Sequence, residues 1–148
     1  MDRALVVVND TEANQRLLTR AGSLAAGVDA KLFVVGVIEA DEYESEVQRK
    51  ANKGTEPSTL NEATEAAKRS AEEAATAALD NTNVDYETVG LVGDLPDDLI
   101  KEAHDRDCDH VFITGRRRSP AGKVIFGDLA QSVIINFDGP VTVLLEDE

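Results

Sequence analysis

The sequence predicts an α/β fold in which a parallel sheet carries helices on both faces. Two observations point there. Short apolar runs rich in β-branched residues alternate along the chain with stretches whose apolar residues recur at helical spacing. The 148 residues show one composition regime, which suits one domain large enough to bury a core without staples.

Ala4 to Val8 is a continuous apolar run closed by Asn9-Asp10-Thr11, so it reads as a buried strand that feeds a capped helix. Leu17, Leu18, Ala21, Leu24, Ala25 and Val28 then recur at helical spacing, and Gly27 supplies the stop before a second strand over Lys31 to Ile38. Glu39 to Pro57 is polar and charged without clear periodicity, and reads as a mobile surface loop holding no more than a frayed helical turn. Thr59 and Glu62 have capping-box spacing and open an alanine-rich helix to about Leu79, whose small residues suit close packing on a sheet.

Val84 to Leu91 is a third strand, nearer an edge because Asp85 and Glu87 interrupt its apolar residues. Asp94 is the expected cap of the next helix, with Pro96 in its first turn and Leu95, Leu99, Ile100 and Ala103 as its apolar face. Val111 to Thr114 is the fourth strand, Gly115 to Phe126 a basic loop and Gly127 to Phe137 the fourth helix, with Gly139-Pro140 ending it before a fifth strand over Val141 to Leu145. In such a sheet ligands bind at the carboxyl ends of the strands, where the strand order reverses.

Charge narrows the functions. Fifteen Lys and Arg against twenty-nine Asp and Glu give a net charge of -14, which argues against an extended grip on nucleic acid or an anionic membrane. The single cysteine cannot form an internal disulfide, and no apolar run approaches membrane-spanning length. The expectation is a soluble cytoplasmic protein, and so large an acidic excess suggests a high-salt cytoplasm.

Against that background Gly115-Arg116-Arg117-Arg118-Ser119-Pro120-Ala121-Gly122-Lys123 stands out, with four positive charges between a strand and a helix start. Free backbone N–H groups and the helix dipole there suit an anion such as phosphate, while a solvated turn with arginines paired to neighbouring carboxylates is the plainer reading. Gly122-Lys123 is not a P-loop, since Gly115 is too far back and Val124 replaces the hydroxyl. No Gly-x-Gly-x-x-Gly follows the first strand. His104, Cys108 and His110 lack metal-ligand spacing and form no nucleophile-and-base pattern, and adjacent acids such as Asp97-Asp98 are expected from composition alone. No catalytic or metal-binding residue is therefore assigned, and hydrolysis is not expected.

The order of elements, the opening Ala4 to Glu12, the Gly93-Asp94-Leu95-Pro96 turn, the strand Val111 to Gly115 and the segment from Gly115 to Ser132 resemble the universal stress protein family over essentially the whole chain. The resemblance implies a Rossmann-like open sheet of five parallel strands in the order 3-2-1-4-5 and a homodimer formed through the last strand, Val141 to Leu145. ATP-binding members carry Gly-x2-Gly-x9-Gly-[Ser/Thr]. Here Gly115 and Gly127 match the outer glycines, but Arg118 stands at the middle one, eight residues lie between it and Gly127, and Asp128 replaces the terminal hydroxyl.

Carried over residue by residue, the resemblance implies that Val8, Asn9 and Val37 flank the adenine and ribose, with Asp10 compensating for an aspartate that relatives carry at the position of Asn9. Gly115, Arg116, Arg117 and Arg118 would face the phosphates, and Gly127 with the neighbouring amides of Asp128 and Leu129 would receive the terminal one. Two functions follow: a non-enzymatic stress-response dimer that binds ATP or a related adenine nucleotide, metal dependence open, or a dimerisation protein whose degenerate motif holds no nucleotide and whose basic loop meets an acidic protein partner. Slow ATP hydrolysis or autophosphorylation of Ser119 would need a positioned base, and none is evident.

Overall fold

The computed structural model describes residues 1–8, 12–117 and 127–147. Ten elements follow in order: β1 (Arg3–Val8), α1 (Glu12–Gly27), β2 (Lys31–Glu39), α2 (Ala40–Asn52), α3 (Leu60–Leu79), β3 (Asp85–Gly93), α4 (Asp97–Asp105), β4 (His110–Arg117), α5 (Asp128–Asn136) and β5 (Val141–Asp147). The strands form one parallel sheet in the order β3-β2-β1-β4-β5, as the resemblance implied.

Burial explains why the central strands are apolar throughout. Ala4, Val6 and Val8 of β1 join Leu32, Val34 and Phe112 in a core under α1 and α3, while Leu5 and Val7 join Phe33, Val35, Val111 and Ile113 in a second core under α4 and α5. Each fully buried Val or Leu contributes roughly 1.5–3 kcal/mol. The edge strand β3 carries exposed Asp85, Tyr86 and Glu87, which is why its apolar pattern is interrupted.

α3 starts at a reciprocal capping box: Thr59 Oγ1 accepts from the Glu62 N–H, and the Thr59 N–H donates to Glu62 Oε1. Its buried stripe is Ala63, Ala67, Ala71, Ala75 and Leu79, and these short side chains bring the helix backbone against the sheet. Two glycines complete that approach. A Cβ on Gly36 would collide with the Ala67 carbonyl, and one on Gly90 with the Thr64 carbonyl.

The structure departs from the sequence reading at four places. The expected loop between Glu39 and Pro57 contains helix α2, making five helices rather than four. α2 buries no side chain, so it lacks the periodic apolar signal; its order comes from Asp41 and Glu42 in the first turn, Arg49 and Lys50 in the last, and an Arg49–Glu46 ion pair at 2.6 Å. Gly27 does not make the turn after α1. Asp29 does, at φ 58°, with the Ala30 N–H donating to the Ala25 carbonyl. Asp107 closes α4 in the same way at φ 55°.

Asp94 is not the cap of α4; Pro96 holds that position, and Asp98 reaches back to accept from the Asp94 N–H at 2.8 Å. Finally, Gly115, Arg116 and Arg117 do not belong to the basic loop. They extend β4, in register with Leu145, Glu146 and Asp147 of β5. The remainder of that expected loop, from Arg118 to Phe126, lies outside the described residues.

Candidate functional site

Among the described residues the strands end at different heights at the carboxyl edge of the sheet, which leaves a notch there. β1 pairs with β2 only as far as Val8 opposite Gly36, and with β4 from Ala4 opposite His110 to Val6 opposite Phe112. β2 continues through Val37, Ile38 and Glu39 while still paired with β3, and β4 continues to Arg117 beside β5. The described part of β1 therefore ends between two taller neighbours, at the point where the strand order reverses.

A pocket of about 340 Å³ opens on the β2 side of this notch. Val8, Val37 and Ile38 line it from the strands, Glu42 from the first turn of α2, and Ala67 and Ser70 from α3. Gly36 also lines it, so the glycine that admits α3 to the sheet also helps to shape the pocket. Its volume falls within the roughly 300–1,000 Å³ of small-molecule sites. A larger pocket of about 500 Å³ lies at the outer sheet edge between Glu72 of α3 and Tyr86 to Thr88 of β3, and contains none of the sequence-predicted site residues.

The sequence-predicted residues are placed as follows. Val8 and Val37 meet in the notch pocket. Gly115 is buried in β4, and Arg116 and Arg117 follow it on the strand, opposite Glu146 and Asp147. Gly127 is the N-cap of α5, with open space where a Cβ would stand, and its carbonyl accepts from the Gln131 N–H. Asp128 is exposed in the first turn of α5, whereas the Leu129 side chain packs against the core under α4 and α5, leaving its amide as the group available to an anion. Asn9, Asp10 and Arg118 lie outside the described residues.

Glu42, Ser70 and Gly36 were missed by sequence reasoning. Glu42 fell in the segment read as a loop, although the acid-first, base-last pattern of residues 40–52 was a usable helix signal. Ser70 and Gly36 carry no motif, and only the docking of α3 brings them to the strand ends.

The histidines and the cysteine have structural surroundings. Cys108 sits in the core under α4 and α5, where burial pushes its thiol up to about 11 despite nearby Arg3 and Arg106. His110 stacks on Phe112 with ring centroids 4.6 Å apart and shares a 2.7 Å hydrogen bond with Thr142 Oγ1. Burial lowers its pKa, against the opposing pull of Asp109. His104 is exposed in the last turn of α4. Among the described residues, no group of three His, Cys, Asp or Glu is placed to hold a metal ion, and no helix is long and apolar enough to cross a membrane.

Cations are also used at the opposite end of the sheet. Arg3 and Arg106 place their guanidiniums 4.9 and 5.2 Å from the centre of the Phe33 ring, and Lys31 its ammonium 5.2 Å away. Glu87 pairs with both Lys31 and Arg106, and Glu102 with Arg106, so carboxylates offset part of the positive charge over the amino edge of the core.

An open parallel sheet in this strand order, with a pocket beside its reversal point, defines a doubly wound α/β architecture. The universal stress protein family model matches residues 1–144, and the chain belongs to that family. Among solved structures it is similar to the hypothetical protein MJ0577, with 19% identity over 99% of this chain and 97% of that one and a TM-score of 0.74. It is similar to a universal stress protein in complex with cAMP, at 20% identity over 97% and 96% and a TM-score of 0.65. It also resembles the universal stress protein from Archaeoglobus fulgidus in complex with dAMP, at 17% identity over 97% of each chain and a TM-score of 0.56. No curated protein is significantly similar to the chain.

Proposed function

We propose that this chain binds ATP or a related adenine nucleotide in the notch above β1, and that occupancy alters contacts of a cytoplasmic stress-response dimer rather than driving turnover. The observation that carries this reading is the meeting of Val8 and Val37 in one pocket beside the reversal of strand order. Beyond Gly36 the β1-facing backbone of β2 has no partner strand among the described residues, which leaves a donor and an acceptor for the edge of a base. On the other side of β1, the first-turn amides of α5, which take no side-chain cap among the described residues, suit phosphate oxygens. The relatives solved with cAMP and dAMP support an adenine ligand. The dimer is proposed through the free edge of β5, and the net charge of -14 supports a protein adapted to high salt.

The test is to purify the protein in high salt, denature it and identify released nucleotides by ion exchange, alongside Gly127→Asp. That variant has room for its side chain, so it should fold while placing a second carboxylate at the phosphate end. Adenine nucleotide released by the wild type and lost from the variant supports the site; equal recovery from both rejects it.

A nucleotide-free dimerisation protein is the second reading, and two placements favour it. Asp128 puts a carboxylate in the first turn of α5, and the register places Arg116 and Arg117 within β4, opposite Glu146 and Asp147 of β5, rather than in a loop before α5. A stripped protein that dimerises normally and gives no binding heat with ATP would establish it over the first.

A further inference from the structure

We infer that Glu42 is a specificity residue of the notch pocket, accepting a hydrogen bond from the exocyclic amino group of an adenine ring. This rests on the nucleotide-binding reading and adds a residue to it. The pocket is walled by Val8, Ile38 and Ala67, and among the described residues its lining holds no cation, which suits an uncharged ring rather than a phosphate. Glu42 is the charged group at its rim, and among the described residues no cation is paired with it. The ion pairs of α2 are made a turn further on, by Glu46 with Arg49 and Lys50.

The placement of Glu42 is held by its helix. α2 is tied down by Tyr43, whose hydroxyl donates to the Ser58 carbonyl at 3.0 Å, and by Lys50, whose ammonium lies 3.4 Å from Ser58 Oγ. A carboxylate at the mouth of an apolar pocket accepts hydrogen bonds and repels acceptors and anions. It therefore favours a flat ring that carries an N–H donor at its far end, with the phosphates directed away toward α5. The 6-amino group of adenine meets that description, and a purine without it does not.

The experiment is a two-by-two calorimetric cycle on the full chain: ATP and purine riboside triphosphate, which lacks the 6-amino group, against the wild type and Glu42→Ala. Glu42 is exposed on a helix that buries no side chain, so the variant should fold. Loss of the amino group should weaken wild-type binding about tenfold more than it weakens the variant's, as for a hydrogen bond to a charged group at a partly exposed site, because any bond of that group to the β2 backbone is common to both proteins. Equal losses in both proteins would overturn the assignment while leaving nucleotide binding intact. Coupling of Glu42 to 2′-deoxy-ATP instead would overturn it by placing the sugar in the pocket. No heat from any nucleotide with the wild type would remove the underlying reading and the assignment together.

Discussion

Gly36 has no side chain at a point where the Ala67 carbonyl occupies the space of a Cβ, and the same residue lines the notch pocket. Gly36→Ala should therefore destabilise the fold by about 1–3 kcal/mol through forced separation of α3 from β2. It should also weaken ATP binding, whereas Gly127→Ala, with open space at its Cβ, should lose only the N-cap preference of glycine over alanine, about 0.5–1 kcal/mol; urea unfolding with calorimetry separates the two. At Asp29 the backbone is left-handed, so Asp29→Gly should stabilise by about 0.5–1 kcal/mol, read as a raised urea midpoint. Composition and motif reading missed both positions. Gly36 was one small residue within an apolar run, and the turn after α1 was assigned to Gly27 because glycine is the usual left-handed residue.

Titration is local as well. Burial, the larger effect at His110, lowers its pKa, so the folded protein prefers the neutral ring. Its contribution is complete above the unfolded value of 6.5 and is lost as pH falls through the lower folded value. Asp109 acts in the same direction further into acid: burial raises its pKa, but backbone N–H groups of Asp2 and Arg3 override it and hold the carboxyl below 3.8. Stability should decline below pH 6.5, and His110→Gln should flatten the first part of that decline in urea midpoints measured from pH 8 to pH 5. An unchanged slope in the variant would assign it to other groups.

At the scale of elements, α3 was legible because every level agreed: the Thr59–Glu62 capping box, the alanine spacing and the stop near Leu79 are all present in the structure. Thr59→Ala should cost about 1 kcal/mol by orphaning the Glu62 N–H, measurable by thermal or urea unfolding. α2 was illegible for the opposite reason. With no buried side chain it shows no apolar period, and only its terminal charges and its Glu46 pairs mark it. The sequence ends the fourth strand too early because Arg116 and Arg117 carry no apolar strand signal, and only the pairing with β5 extends β4 to them. That placement divides the basic segment, leaving two of its arginines in the sheet.

For the whole molecule, the alternation of strands and helices gave the fold class, while the strand order came from the family resemblance; periodicity alone does not say which strand lies beside which. The fold class alone points to the carboxyl end of the sheet where the strand order reverses, and Val8 and Val37 lie together there, but the α2 and α3 walls of the pocket depend on long-range packing that no local pattern encodes. β5 leaves a free edge, and if the dimer forms there, Leu145→Lys should convert it to monomers in sedimentation equilibrium; an unchanged mass would place the interface elsewhere. The charge of -14 repels itself within one compact chain, so raising KCl from about 0.1 M to about 2 M should raise Tm by several degrees as screening shortens the reach of that repulsion.

The central claim is that the notch above β1 binds an adenine nucleotide despite Arg118 and Asp128 in the degenerate motif. Calorimetric titration of nucleotide-stripped wild-type protein with ATP tests it most directly. Saturable heat at one site per chain, diminished by Gly36→Ala and by Gly127→Asp, is the expected result. Absence of binding heat from a folded, stripped protein would contradict the claim.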